Sequence, residues 1–185
     1  MKNFKELSIE ELELVFENNS KLQENVFDDM FDNANFWCSE YLNCWKNGSI
    51  DYCIGWDRGT YFSVKDCGMF LEGLEKAQKL YGFLSDDYNH MIEKAWELYD
   101  KYTYHAYDFS DLNYERIENR LTDIIETLES ACYKRFMNEY EYCFDSKNQL
   151  DYFLDFYSDA RMNDDFYVDE NYVLFEHVDY VKSYN

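Results

Sequence analysis

Two sets of carboxylates recur at the spacing of one helical turn: Glu24, Asp28 and Asp32, and then Asp151, Asp155 and Asp159. Close behind the second set lies a denser cluster, Asp164-Asp165 followed by Asp169-Glu170. Carboxylates so placed have three chemical uses. A close pair serves as general acid and base, a convergent group holds a divalent cation, and a longer row offers an extended negative surface to a cationic partner. With 39 Asp and Glu in 185 residues, close pairs arise by chance and do not argue for acid–base catalysis. The Asp164–Glu170 cluster lacks the glycine and the ligand spacing of a calcium loop. What remains is the regular i, i+4, i+8 row, which suits the third use, an extended negative surface.

The other reactive side chains form no constellation. Cys38, Cys44, Cys53, Cys67, Cys132 and Cys143 include no Cys-x-x-Cys pair, and His90, His105 and His177 lie far apart, so the usual zinc spacings are missing. There is no Gly-x-Ser-x-Gly, no His-Glu-x-x-His and no glycine-rich phosphate loop among only six glycines. Gly55–Gly59 reads as a hairpin turn with Arg58 at its tip. The expectation is a protein with no catalytic residue, no metal and no cofactor, whose cysteines are buried or half-buried thiols.

The rows gain meaning from the helices that carry them. Ser8 and Glu11 have capping-box spacing, which starts a helix; Asn18-Asn19-Ser20 breaks or kinks it, and Gly48 stops it. At 100° per residue, with Glu24 at zero, Asp28 falls at about 40° and Asp32 at about 80°, whereas Phe27, Met30, Ala34, Trp37, Tyr41 and Trp45 fall at roughly 220–300°. The carboxylates thus lie opposite an apolar stripe. Asp151, Asp155 and Asp159 stand likewise against Leu150, Phe153, Leu154 and Tyr157 on a helix from Ser146 to about Arg161. Between the two, the spacing predicts a hairpin over 50–64, helices over 69–81 and 86–102, and a long helix over 114–142 with Ile117, Leu121, Ile124, Leu128 and Cys132 on one stripe. The tail, Phe166–Val168 and Tyr172–Tyr180, reads as strands joined by a turn at Asp169-Glu170-Asn171. These elements predict one acidic α+β domain over residues 1–185, mostly helical, with a small antiparallel sheet made of the 50–64 hairpin and the C-terminal strands.

Charge sets the class of partner. The net charge is −22, and Lys and Arg number 17. Direct binding to nucleic acid or to an anionic membrane is excluded by repulsion. Disorder is excluded by 19 Tyr, 15 Phe and 4 Trp, since such rings build cores that acidic tails lack. Met1–Leu7 is short and polar, without the apolar stretch of an export signal, and predicts a reducing cytoplasm. The charge is also uneven. Ser8–Trp45 carries nine acids against Lys21, and Asn138–Tyr180 carries twelve against Lys147 and Arg161. Glu115, Arg116, Glu118 and Arg120, in the middle, alternate in sign as a solvated helix face does. Like charges at i, i+4 cost about 0.2–0.5 kcal/mol each, an avoidable cost for a helix that needs only to be soluble.

In its composition and its Glu24/Asp28/Asp32 and Asp151/Asp155/Asp159 rows, the chain resembles the small, acidic, Tyr/Phe-rich DNA-mimic anti-CRISPR and anti-restriction proteins of phages and mobile elements. The resemblance implies a non-enzymatic inhibitor that occupies the DNA-binding groove of a CRISPR effector or restriction enzyme in the cytoplasm of a bacterial host. The charge pattern itself predicts that Glu24, Asp28, Asp32, Asp151, Asp155, Asp159, Asp164, Asp165, Asp169 and Glu170 face the basic partner. An immunity protein or antitoxin that neutralises a basic toxin is the alternative the same charge pattern fits; an acidic metal-dependent enzyme fits it less well.

Overall fold

A computed structural model describes residues 2–45, 48–56, 59–105, 110–157 and 166–176. The fold is α+β and mostly helical, with small antiparallel sheets. In chain order it comprises β1 (Lys2–Asn3), α1 (Ile9–Asn18), α2 (Ser20–Leu42), β2 (Ile50–Cys53), β3 (Tyr61–Val64), α3 (Cys67–Tyr81), α4 (Asn89–Tyr104), α5 (Asp111–Phe144), α6 (Ser146–Tyr152), β4 (Phe166–Val168) and β5 (Leu174–Glu176). Short 3-10 turns occupy Phe4–Glu6 and Asp86–Tyr88, and α6 runs on into a π turn over Phe153–Tyr157. The chain packs as two compact units, one of Met1–Ala34 with Glu141–Asn185 and one of Asn35–Tyr140, whose boundaries fall inside α2 and α5.

The first unit begins with the expected capping box. The Ser8 hydroxyl accepts from the Glu11 N–H, and the Glu11 carboxylate accepts from the Ser8 N–H at 3.0 Å. The break at Asn19 is equally local in cause, but its consequence is long-range. The Asn19 side-chain amide donates to the carbonyls of Val15 and Tyr172, and its oxygen accepts from the Leu174 N–H at 2.8 Å. This clamp holds the tail against α1. Among the described residues the tail strands do not join the 50–64 hairpin, where the sequence pattern predicts them. They pair with β1 in a three-stranded antiparallel sheet of order β1-β4-β5, with Lys2 opposite Val168 and Phe166 opposite Glu176. Lys2 forms an ion pair with Glu11, which also accepts from the Tyr172 hydroxyl, so the N-terminal strand is anchored beside β4. Phe153 is fully buried, stacked on Phe16 at 5.2 Å and edge-on to Phe4 at 6.4 Å.

The second unit is built on an aromatic core. Trp45, Phe62, Phe70, Phe83 and Phe136 pack with centroids 5.2–6.3 Å apart, and the Trp45 Nε1 donates to the Phe70 carbonyl at 3.1 Å. β2 and β3 form a separate two-stranded hairpin with Ile50 opposite Val64. Gly82 ends α3 in the left-handed conformation at φ 56°, as a C-cap glycine does. Arg135 lies over the Tyr41 ring at 5.1 Å and the Phe83 ring at 5.9 Å, pairs with Glu139, and donates to the Tyr41 hydroxyl at 2.9 Å. Burial and the neighbouring Glu139 carboxylate push Tyr41 up to about 12.

One expected core residue is on the surface. Trp37 is 42% exposed, its indole against Tyr41 and Tyr81, while Val26, Met30, Ala34 and Cys38 form the buried seam of α2. The Cys38 thiol approaches the Phe136 carbonyl at 3.8 Å, a spacing at which a small side chain fits and an indole does not. All six cysteines are free thiols, four buried and two half-buried.

Candidate acidic interaction surface

The two acidic ends of the sequence belong to the same unit. The unit of Met1–Ala34 and Glu141–Asn185 holds 20 Asp and Glu against six Lys and Arg, whereas Asn35–Tyr140 holds 19 against 11. The excess negative charge is therefore −14 in the smaller unit and −8 in the larger.

On α2, Glu24, Asp28 and Asp32 are all exposed, opposite the Val26–Met30–Ala34 seam. Glu24 shares Lys21 at 3.3 Å across an exposed turn. Among the described residues Asp28 and Asp32 have no ion-pair partner. Asp151 and Asp155 are exposed as well, placed on the outer side of α6 and the π turn by Phe153, which lies between them in the chain and is buried. The helices that carry the two rows touch at the surface of the unit. The Asn33 amide donates to the Tyr152 hydroxyl at 2.8 Å, and the Phe27 ring meets Phe144 edge-on at 5.2 Å. The Tyr152 hydroxyl is pushed up, first by burial and then by the negative charge of Asp29.

The remaining expected residues divide. Glu170 is exposed on the β4–β5 turn. Asp169 builds that turn: its Oδ1 accepts from the Asn171 N–H at 2.8 Å and from the Val173 N–H at 2.9 Å, so its carboxylate is committed to the backbone. Asp159, Asp164 and Asp165 lie outside the described residues, as do Arg58 and His177. Asp29 and the exposed rings Tyr142, Phe144 and Phe156 belong to this unit and were not singled out in the sequence. The i, i+4 spacing of Tyr152 and Phe156, one residue after Asp151 and Asp155 respectively, was the available signal.

No known protein family, curated protein or solved structure matches the chain. Among the described residues no group of three or more His, Cys, Asp and Glu is placed to hold a metal ion, and no helix is long and apolar enough to cross a membrane.

The arrangement has a clear chemical capacity. Carboxylates one helical turn apart rise about 6 Å, a regular row of negative charge at nearly twice the roughly 3.4 Å rise between phosphates along one DNA strand. A surface with this charge density attracts a basic protein over the range set by ionic strength and repels polyanions.

Proposed function

We propose that the protein is a non-enzymatic inhibitor of a nucleic-acid-binding defence nuclease, a CRISPR effector or a restriction enzyme, acting in a bacterial cytoplasm. Its acidic unit stands in for duplex DNA and blocks the groove that the DNA would enter. The observation that carries the reading is the folding of both acidic ends, Met1–Ala34 and Glu141–Asn185, into one unit, with exposed carboxylates on α2, α6 and the π turn, of which Asp28 and Asp32 have no ion-pair partner among the described residues. A protein needing only solubility gains nothing from concentrating like charges, because their mutual repulsion opposes folding. A groove built for phosphates supplies the missing counter-charge. In an RNA-guided nuclease the cleft that reads the protospacer-adjacent motif is arginine-rich and fits this description.

The test is capture followed by competition. The immobilised protein is exposed to bacterial extract, and retained proteins are eluted with duplex DNA at constant ionic strength. Recovery of a nuclease in the DNA eluate is the expected result. Retention of a toxin with no nucleic-acid-binding groove, unmoved by DNA, would transfer the reading to an immunity protein.

A further inference from the structure

Charge does not account for Phe156. Its side chain is 60% exposed, three residues beyond Phe153, which is fully buried. The π turn separates the two fates. Its i→i+5 bonding advances each residue by less than the roughly 100° of an α-helix, so Phe156 is carried away from the face that buries Phe153. Turns of this type interrupt regular hydrogen bonding and concentrate at functional sites. The exposed ring has a held neighbour: the Tyr152 ring lies 4.6 Å away, and its hydroxyl is tied to Asn33. Asp151 and Asp155, both exposed, adjoin the two rings in the chain, and the charge of Asp29 reaches Tyr152.

An exposed ring with a held neighbour and exposed carboxylates next to both in the chain is matched by a flat cation that a partner brings. A guanidinium stacks on an aromatic face while its N–H fork reaches a carboxylate, and it is weakly hydrated; an ammonium is a compact, strongly hydrated charge that gains less from the ring. The chain completes the same grouping in its other unit, where Arg135 lies over Tyr41 and Phe83 and pairs with Glu139. We infer that Tyr152 and Phe156, with Asp151 and Asp155, seat an arginine side chain of the partner protein. The inference rests on the acidic face being a protein-binding surface, and it narrows the partner from basic to arginine-presenting.

The test uses the full chain and two probes, an oligo-arginine and an oligo-lysine peptide of equal length, titrated at the same low ionic strength. The wild type is expected to bind oligo-arginine about threefold to tenfold more tightly, the scale of a stacked cation. Phe156→Leu, an exposed apolar replacement, should remove that preference by weakening oligo-arginine alone. Phe156→Tyr, which keeps a ring, should retain it. The double variant Asp151→Asn/Asp155→Asn should weaken both peptides. Equal affinity of the wild type for the two peptides, or a preference that survives Phe156→Leu, overturns the arginine seat and leaves the acidic binding surface standing. Failure of both peptides to bind overturns the two together.

Discussion

Replacing Asp28 by Asn separates folding from function, because the two should move in opposite directions. Asp28 lies mid-helix in α2, exposed, four residues from Glu24 and four from Asp32. Asn matches it in size and in helix propensity, and neither end of the helix dipole is near. The substitution removes two like-charge i, i+4 pairs, worth about 0.2–0.5 kcal/mol each. Glu24 is already offset in part by Lys21, so a net gain of about 0.5 kcal/mol is expected. For a chain of this size that is a rise of roughly 1–2 °C in Tm at low salt. The gain should vanish at 1 M salt, where the Debye length is about 3 Å. Binding should weaken, by about 1.5- to 5-fold for one exposed charge, and mainly through slower association. Thermal unfolding followed by circular dichroism gives the first quantity and association kinetics on the captured partner gives the second. A lower Tm would mean that Asp28 holds a native contact, and unchanged binding with a raised Tm would reduce the row to a solvated face.

Three further outcomes follow from the packing and the titrating groups. Gly73→Ala should destabilise the Asn35–Tyr140 unit by about 1–3 kcal/mol or more, because the new methyl would sit 2.7 Å from Cγ of Trp45, whose indole is held by Phe70. Gly68→Ala meets the hydroxyl tip of half-buried Tyr99 instead and should cost less, so equal losses in denaturant titrations would contradict this packing. Tyr41 and Tyr102 are both raised to about 12, Tyr41 by burial and Tyr102 by hydrogen bonds with Tyr114 and Glu118. Unfolded tyrosine loses its proton near 10, so the contribution of these two tyrosines to stability should be constant below about pH 10 and fall between about 10 and 12. Tyr41→Phe should flatten part of that fall; an unchanged alkaline profile would argue against the shift. Glu11 is held low by Lys2 and by the Ser8 N–H, so its contribution is present above about pH 4.3 and is lost as pH drops through its folded value. Glu11→Gln should abolish that part of the acid dependence, and an identical acid transition would refute it.

How much could be read from the sequence depended on whether the cause was local. The Ser8/Glu11 capping box, the Asn19 break, the hairpin within 50–64 and the end of α3 at residue 81 are set by neighbours within a few residues, and all are found where the spacing put them. The partner of the tail strands was not legible, because β1 is two residues long and shows no alternation. Its place depends on Asn19 and Glu11 contacts across more than 150 residues. Trp37 misleads a helical wheel because its angle suits the buried stripe while the narrow seam beside α5 admits only Cys38. In the candidate surface, helix spacing was enough to place Glu24, Asp28, Asp32, Asp151 and Asp155 outward. It did not reveal that Asp169 is spent on a turn, since that depends on the chain reversing to bring Val173 to its carboxylate. The π turn that exposes Phe156 was likewise hidden, since Ser146–Tyr157 carries an ordinary helical pattern.

The central claim is that the acidic unit occupies a site built for DNA. Its most direct measurement is the affinity of the captured nuclease for duplex DNA at increasing concentrations of the protein, at fixed salt. The expected result is mutual exclusion: the apparent Kd for DNA rises in proportion to inhibitor, and the combined variant Asp28→Asn/Asp32→Asn/Asp151→Asn/Asp155→Asn loses the effect while remaining folded. A ternary complex in which DNA and protein bind together without weakening each other would contradict it.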